Sequence, residues 1–182
     1  KGRYTGDTFH CMDICAPDDT QLLGCAIDIG TTTVSMVIVD METGKILAKG
    51  SSGNGQIRYG ADVINRIIEQ GRPGGKKKLQ DAIVKETLVP IIANLCKSIG
   101  ASARSILRLC IGSNTTMNHL LLGVDAQSVR MEPYIPSFFG WDGLLAGDLK
   151  LPAHPLAEVR IAPNIGSYVG GDITAGTLAS LI

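Results

Sequence analysis

Apolar residues fill two short runs early in the chain, at about residues 24–30 and 34–40, and a polar Gly-Thr-Thr-Thr turn joins them. Runs of this length that are bounded by turn residues predict the two strands of a hairpin. A turn at residues 42–45 and a third run at residues 46–51 extend the hairpin into an antiparallel meander. Residues 25–29 are almost wholly apolar, which predicts a central strand buried on both faces.

Further along, apolar residues recur at helical spacing. They predict one helix over residues 62–70 and a second over residues 79–99. Pro90 lacks an N–H group, so it is expected to kink or divide the second helix. The residues expected to face the core are Val63, Ile64, Ile67 and Ile68 on the first helix, and Leu79, Ile83, Leu88, Ile91, Ile92 and Leu95 on the second.

The remaining pattern alternates strands and helices. Strands are predicted at residues 105–111 and 159–165, and helices at residues 117–122 and 170–182. Residues 124–155 are rich in Pro, Gly and aromatic residues and are expected to form an irregular excursion. A meander followed by alternating helices and strands predicts an α/β fold with a mixed five-stranded sheet and helices on its faces.

Length and charge limit the function classes. A chain of 182 residues is long enough for one domain with a sizeable core, which we place at residues 24–182. Residues 1–23 are polar, with a turn expected at residues 18–20, and are interpreted as an irregular linker or the tail of an upstream domain.

Lys and Arg number 17, as do Asp and Glu, so charge gives no reason to expect nucleic acid or an anionic membrane as a partner. No apolar run is long enough to span a bilayer or to form the core of a signal peptide. The expected location is the cytoplasm.

The five cysteines are Cys11, Cys15, Cys25, Cys96 and Cys110. Their odd number and apolar surroundings favour reduced thiols over a disulfide framework. Cys11 and Cys15 have a spacing that could contribute to a metal site, but no second pair completes a set of four ligands, so a non-metal role is favoured. Cys25 and Cys110 lie in predicted strands and are expected to behave as small hydrophobic residues.

The turn of the first hairpin has the chemistry of a phosphate site. Gly30 allows close approach of the backbone, and the N–H groups of Gly30, Thr31, Thr32 and Thr33 can point at phosphate oxygens. Asp28, the one charge in the first strand, would be costly to bury without a partner and could hold a hydrated Mg²⁺. The alternative is a polar β-turn that merely joins two strands.

Four signatures follow one another in an order that makes this interpretation more specific. They are DIGTTTV at residues 28–34, NGQ and GADVINR at residues 54–56 and 60–66, GSNTTM and HLLLG at residues 112–117 and 119–123, and VGGDITAG at residues 169–176. With the element order, they resemble the ribonuclease-H-like half-domain of the superfamily that contains actin, sugar kinases and heat-shock chaperone ATPases. Within it, they resemble the reductive activators of corrinoid proteins, from about residue 24 to the end.

That resemblance implies an activity. In this family, an iron–sulfur protein with such an ATPase domain uses ATP to return the cobalt of an inactive corrinoid methyl carrier to Co(I). It implies ATP and Mg²⁺ as ligands and a corrinoid protein as partner. Asp28 and the loop from Gly30 to Thr33 would form the first phosphate loop.

The resemblance also assigns roles to other residues. Asp172, which follows Gly170 and Gly171 in the cleft, would orient Mg²⁺ or the attacking water; the alternative is a helix N-cap. Asn114 is either a phosphate ligand or a cap.

Asn54 and Gln56 either line the cleft or satisfy loop backbone.

His119 is expected to be packed or exposed rather than a ligand. Residues 71–77 are similar to a phosphate loop, but they lack its spacing and follow a helix, so a solvated loop is expected there.

An ATPase of this type closes a cleft between two halves, and the second phosphate hairpin and the adenosine pocket are not found in this sequence. The chain is therefore expected to be the first half of the domain, with weak nucleotide affinity and negligible turnover alone. The iron–sulfur cluster is implied for the intact protein and not for this chain. The alternatives are a small-molecule kinase or dehydratase activator, or a non-catalytic docking module that uses residues 131–141; that segment could also pack on its own domain.

Overall fold

A mixed five-stranded sheet forms the centre of the computed structural model, which describes residues 1–16 and 20–181. The strands are β1 Gly2–Thr5, β2 Thr8–Cys11, β3 Leu23–Ile29, β4 Thr33–Asp40, β5 Ile46–Gly53, β6 Ile106–Ser113 and β7 Glu158–Ile161. The sheet order is β5-β4-β3-β6-β7; β3, β4 and β5 form an antiparallel meander, and β6 and β7 add in parallel. This confirms the predicted fold class.

Six α-helices in the described part connect or follow these strands. They are α1 Val63–Gln70, α2 Gly75–Ile83, α3 Val89–Ser98, α4 Thr115–Leu122, α5 Gln127–Arg130 and α6 Gly171–Ser180. A π-helical turn, Val84–Leu88, separates α2 from α3, and Pro90 lies in the first turn of α3, so the long predicted helix is divided as expected. It begins earlier than predicted: Gly75 and the lysines after it are helical, and only the first part of the expected loop at residues 71–77 is a loop.

The core lies between one face of the sheet and helices α2, α3 and α4. Cys25, Ile27 and Ile29 of β3 point into this core, while Ala26 and Asp28 are exposed on the opposite face. The predicted burial of β3 on both faces is therefore wrong, because its side chains alternate between a core and an open cleft. Helix α6 packs against β6 on the cleft side.

Helix α1 also corrects the sequence analysis. Ile67 is fully buried, but Ile64 and Ile68 are 41% and 42% exposed. The fully buried polar side chain on this helix is Arg66. The prediction is therefore wrong for Ile64 and Ile68 only: Ile67 packs with Ala126 and Val129, and Val63 packs against the main core.

The N-terminal residues are more regular than expected. β1 and β2 form an antiparallel hairpin in which Gly2 pairs with Cys11, so the irregular segment predicted for residues 1–23 is wrong in part. A turn was expected at residues 18–20, but Asp18 and Asp19 lie outside the described residues. Ile182, at the end of the last predicted helix, lies outside them too. No helix in the described part is long and apolar enough to cross a membrane.

The cysteines divide into buried and exposed thiols. Cys25 is buried in the core, as expected of a small hydrophobic residue, and burial raises the pKa of its thiol to about 12. Cys110 is exposed on the cleft face, which corrects the expectation of a packed residue. Cys11 and Cys15 are exposed, and the described residues hold no cluster of three potential metal ligands among His, Cys, Asp and Glu.

Candidate phosphate-binding site

The loop between β3 and β4 has its backbone carbonyl groups turned toward the protein. Each of the four carbonyl oxygens accepts a hydrogen bond from a protein donor. These bonds are Asn54 Nδ2 to Gly30 O at 2.9 Å, Arg66 Nη2 to Thr31 O at 2.6 Å, Asn54 N to Thr32 O at 2.8 Å, and Gly30 N to Thr33 O at 3.0 Å.

Two N–H groups of the same loop, those of Thr31 and Thr32, remain open to a ligand. The N–H group of Gly30 donates to Thr33 O at 3.0 Å within the turn, which corrects the expectation that it points at a phosphate. Among the described residues, no acceptor is found for the N–H groups of Thr31 and Thr32. Gly30 is required by the tightness of the turn, since a Cβ atom there would lie 2.6 Å from the carbonyl oxygen of Thr33. A short run of free N–H groups on a tight turn is a typical anion-binding arrangement.

Asn114 connects this loop to the second βα unit. Its Oδ1 accepts a hydrogen bond from Met117 N at 2.9 Å, which makes it the N-cap of α4. Its Nδ2 lies 3.3 Å from Thr31 Oγ1 and donates to that hydroxyl. Asn114 therefore caps α4 and also orients a loop hydroxyl.

Gly170 and Gly171 allow the start of α6 to approach the residues that follow β6 and β7. A Cβ atom on Gly170 would lie 2.4 Å from Thr115 N, and one on Gly171 would lie 2.3 Å from Ala162 O. These contacts leave no room for a side chain at either position. The two glycines thus bring the start of α6, with Asp172, against the ends of β6 and β7.

Asp28 and Asp172 line one cleft of about 830 Å³ on the open face of the sheet. Partial burial, and then the negative charge of Asp172, raise the pKa of Asp28 above its usual range. Asp172 is not the cap of α6, which is Gly170; its Oδ1 accepts a hydrogen bond from Ile173 N at 2.9 Å instead. The structure therefore places two carboxylates at the same cleft.

Asn54 and Gln56 lie behind the loop rather than on its surface, and both are buried. Asn54 Oδ1 caps the short 3₁₀ helix Gly55–Tyr59 through Gln56 N at 2.9 Å. Gln56 Nε2 donates to Leu79 O at 2.9 Å, and its Oε1 accepts from Arg66. The sequence analysis left Arg66 without a role, although it belongs to the GADVINR signature.

His119 is packed, which is one of the two alternatives that the sequence left open. Its Nδ1 lies 2.7 Å from Thr115 O and its Nε2 accepts a hydrogen bond from Ser137 N at 3.1 Å, so the imidazole is neutral with the proton on Nδ1. Its ring also stacks against Phe138 at 4.5 Å between centroids. His119 thereby fixes the excursion to α4, while Tyr134, Phe139 and Trp141 of the excursion remain 41–50% exposed.

A second groove, about 770 Å³ in volume, lies at the start of α2. It is lined by Arg72, Lys76, Lys77 and Arg130, with Asp125 opposite them. Arg72 is paired with Glu69 at 2.6 Å, and Lys77 is paired with Asp81, so part of the positive charge is neutralised. This groove is the competing location for an anionic ligand.

Comparison with known proteins gives matches over most of the chain. Residues 23–182 match the protein family described as the RACo middle region. The corrinoid activation enzyme RamQ of Eubacterium limosum is 35% identical over 158 residues, which are 86% of this chain and 26% of RamQ. A solved structure described as a reductive activator for corrinoid, iron-sulfur protein is 40% identical, with a TM-score of 0.86 over 89% of this chain and 26% of that one. The chain thus spans about a quarter of the length of each relative.

Proposed function

The chain belongs to the RACo middle region family, and from this membership we propose that it forms the first half of an actin-like ATPase domain in a reductive activator of corrinoid proteins. Its loop from Gly30 to Thr33 binds the phosphates of ATP. In the longer protein, ATP drives the reduction of an inactive corrinoid cofactor to Co(I), and the corrinoid protein is the partner.

The loop geometry is the observation that carries this proposal. Four donors from the protein occupy the loop carbonyl oxygens, while the N–H groups of Thr31 and Thr32 have no acceptor in the described part of the chain. An ordinary β-turn between strands has no need for a buried asparagine and a buried arginine behind it. The arrangement is better explained by an anionic ligand that accepts the outward N–H groups.

The two carboxylates fit a hydrated Mg²⁺ beside those phosphates. Mg²⁺ usually keeps several waters and binds through one or two carboxylates together with substrate phosphates. Asp28 and Asp172 share the cleft, and their mutual repulsion contributes to the raised pKa of Asp28. Asp28 and Asp172 would hold the ion, whose charge would offset their repulsion and the negative charge of the phosphates. Asp172 is placed to orient the ion or a water molecule.

The adenosine pocket and the second phosphate hairpin are proposed to come from another part of the longer protein. RamQ is about four times as long as the segment that matches this chain, which leaves room for such a part in that protein. The iron–sulfur cluster that supplies the electron is assigned to that longer protein as well. The chain alone should therefore bind Mg-ATP weakly, and submicromolar binding in a calorimetric titration would contradict the half-site proposal.

The activity is tested in the longer protein, with its cluster reduced, by following the absorbance of a Co(II) corrinoid protein after addition of Mg-ATP. Asp28→Ala should abolish ATP-dependent formation of Co(I). Asn94→Ala, an exposed change on α3, serves as the matched control and should leave the rate unchanged. Unchanged reduction in the Asp28 variant would show that this site does not couple ATP to the corrinoid.

A further inference from the structure

Arg66 is a buried cation, and its hydrogen bonds in the described part of the chain all go to neutral groups. We propose that Arg66 is a positioning residue of the phosphate loop, and that its guanidinium charge is balanced by the phosphate bound on the outer side of that loop. This inference rests on the proposed phosphate site and assigns it an electrostatic partner.

The contacts of Arg66 are all with neutral groups. The side chain is fully buried, with Nε donating to Gly60 O at 2.8 Å and Nη2 donating to Thr31 O at 2.6 Å. Nη1 lies 3.4 Å from Gln56 Oε1 and 3.3 Å from Met117 Sδ. These acceptors fix the position of the guanidinium group but do not neutralise it.

No carboxylate forms an ion pair with Arg66 among the described residues. The acid that attracts it is Asp62, which is occupied as the N-cap of α1, where its Oδ1 accepts from Asn65 N at 2.8 Å. Burial accordingly lowers the pKa of Arg66. A buried cation without an anionic partner is costly.

Other arginines of the chain show the opposite arrangement. Arg58 is about half exposed and bonds Glu86 through Nη2 and Oε1 at 2.7 Å. Arg108 is also partly exposed and pairs with Glu158 at 3.1 Å. Arg72, Arg104 and Arg160 also pair with acids, whereas the partly exposed Arg130 bonds the amide of Gln127. Arg66 is the fully buried arginine of the described residues and forms no ion pair there, which indicates that its counter-charge arrives with a ligand.

The position of Arg66 identifies that ligand. Its Nη2 donates to the carbonyl oxygen of Thr31, and the N–H group of Thr31 has no acceptor among the described residues. A multiply charged phosphate on the outer side of the loop accepts the loop N–H groups and faces the guanidinium charge through the loop. Arg66 then contributes both to the shape of the loop and to its affinity for anions.

The test uses the chain itself and magnesium tripolyphosphate, a probe that needs no adenosine pocket. Dissociation constants are taken from heteronuclear NMR shifts of the Thr31 and Thr32 amides. Arg66→Met and Arg66→Gln, which remove the charge, should weaken binding at least about tenfold, as expected when one partner of a buried charge pair is lost. Arg66→Lys, which keeps the charge, should bind more tightly than either neutral variant.

Arg58→Met is the matched control, since it removes an exposed arginine of the 3₁₀ helix Gly55–Tyr59. This variant should bind the probe like the wild type. Dispersed spectra establish that each variant is folded, and Arg66→Gln carries the test if Arg66→Met is not. Equal binding by wild type and a neutral variant overturns this inference and leaves the phosphate site intact. Binding by Arg66→Lys as weak as by Arg66→Gln also overturns it, because hydrogen bonds alone would then explain the effect. If the wild-type loop amides do not respond, the proposed site itself fails.

Discussion

Replacement of Asn54 with alanine should both destabilise the fold and disorder the phosphate loop. Asn54 is 2% exposed, and its side chain makes two short hydrogen bonds that alanine cannot replace, besides a longer one from Nδ2 to Met117 Sδ at 3.8 Å. Nδ2 donates to Gly30 O at 2.9 Å, and Oδ1 accepts from Gln56 N at 2.9 Å. The backbone bond from Asn54 N to Thr32 O remains, so the loop is loosened at one end only.

The magnitude follows from these two bonds. Loss of the donor leaves the carbonyl group of Gly30 without its partner, which costs about 1–3 kcal/mol for a buried group. Loss of the N-cap of the 3₁₀ helix adds about 1 kcal/mol. The free energy of unfolding should therefore fall by about 2–4 kcal/mol.

Urea unfolding measures this loss, with Asn94→Ala as the matched control. Asn94 is exposed on α3, and its replacement should change the free energy of unfolding by less than about 0.5 kcal/mol. The Thr31 and Thr32 amides should also lose their response to magnesium tripolyphosphate in Asn54→Ala. A loss of stability below about 0.5 kcal/mol, or an unchanged loop response, would refute the role given to Asn54.

Three further predictions follow from the same structure. Gly30→Ala should destabilise the chain and weaken phosphate binding, because the added Cβ would collide with the turn. Gly53→Ala is the control and should be tolerated, since no atom lies within 4 Å of its added Cβ. Thermal unfolding compares the two variants. Asp28→Asn should raise the unfolding midpoint slightly at neutral pH, because the raised pKa of Asp28 means that the fold disfavours its charged form. The gain in the free energy of unfolding should be less than about 1 kcal/mol, since the side chain is exposed. The same change should remove the Mg²⁺ dependence of phosphate binding. Burial lowers the pKa of His119, so the unfolded state takes up a proton first, and stability should fall as the pH drops below about 6.5. Urea unfolding as a function of pH should show this dependence reduced in His119→Gln, and an identical dependence in the variant would contradict the assignment.

The sheet and most helices were predictable because their signals are local. Apolar runs bounded by turn residues located β3, β4 and β5, and Pro90 marked the division between α2 and α3. The burial of β3 was misjudged because Ala26, small and apolar, is equally compatible with a core and with an open cleft. The hairpin of β1 and β2 was missed because its strand residues are mainly exposed.

The candidate site was predictable only in part. Gly30 and the threonines after it could be found from the turn chemistry, but the groups that orient their carbonyl oxygens are distant in sequence. Asn54 is 24 residues from Gly30, and Arg66 is 35 residues from Thr31. Arg66 was missed because charged residues on a helix are normally exposed. Its position beside Ile67 gave no signal that the helix turns a polar face inward.

The most direct test of the phosphate site is the location of amide shifts when the wild-type chain is titrated with Mg-ATP. Two candidate places for an anion in the described part of the chain are the loop from Gly30 to Thr33 and the basic groove that contains Lys76 and Lys77. The proposed site predicts that the largest saturable shifts occur at Thr31 and Thr32, and that Asp28→Ala removes them. Saturable shifts confined to Lys76 and Lys77, with the loop amides unchanged, would contradict it.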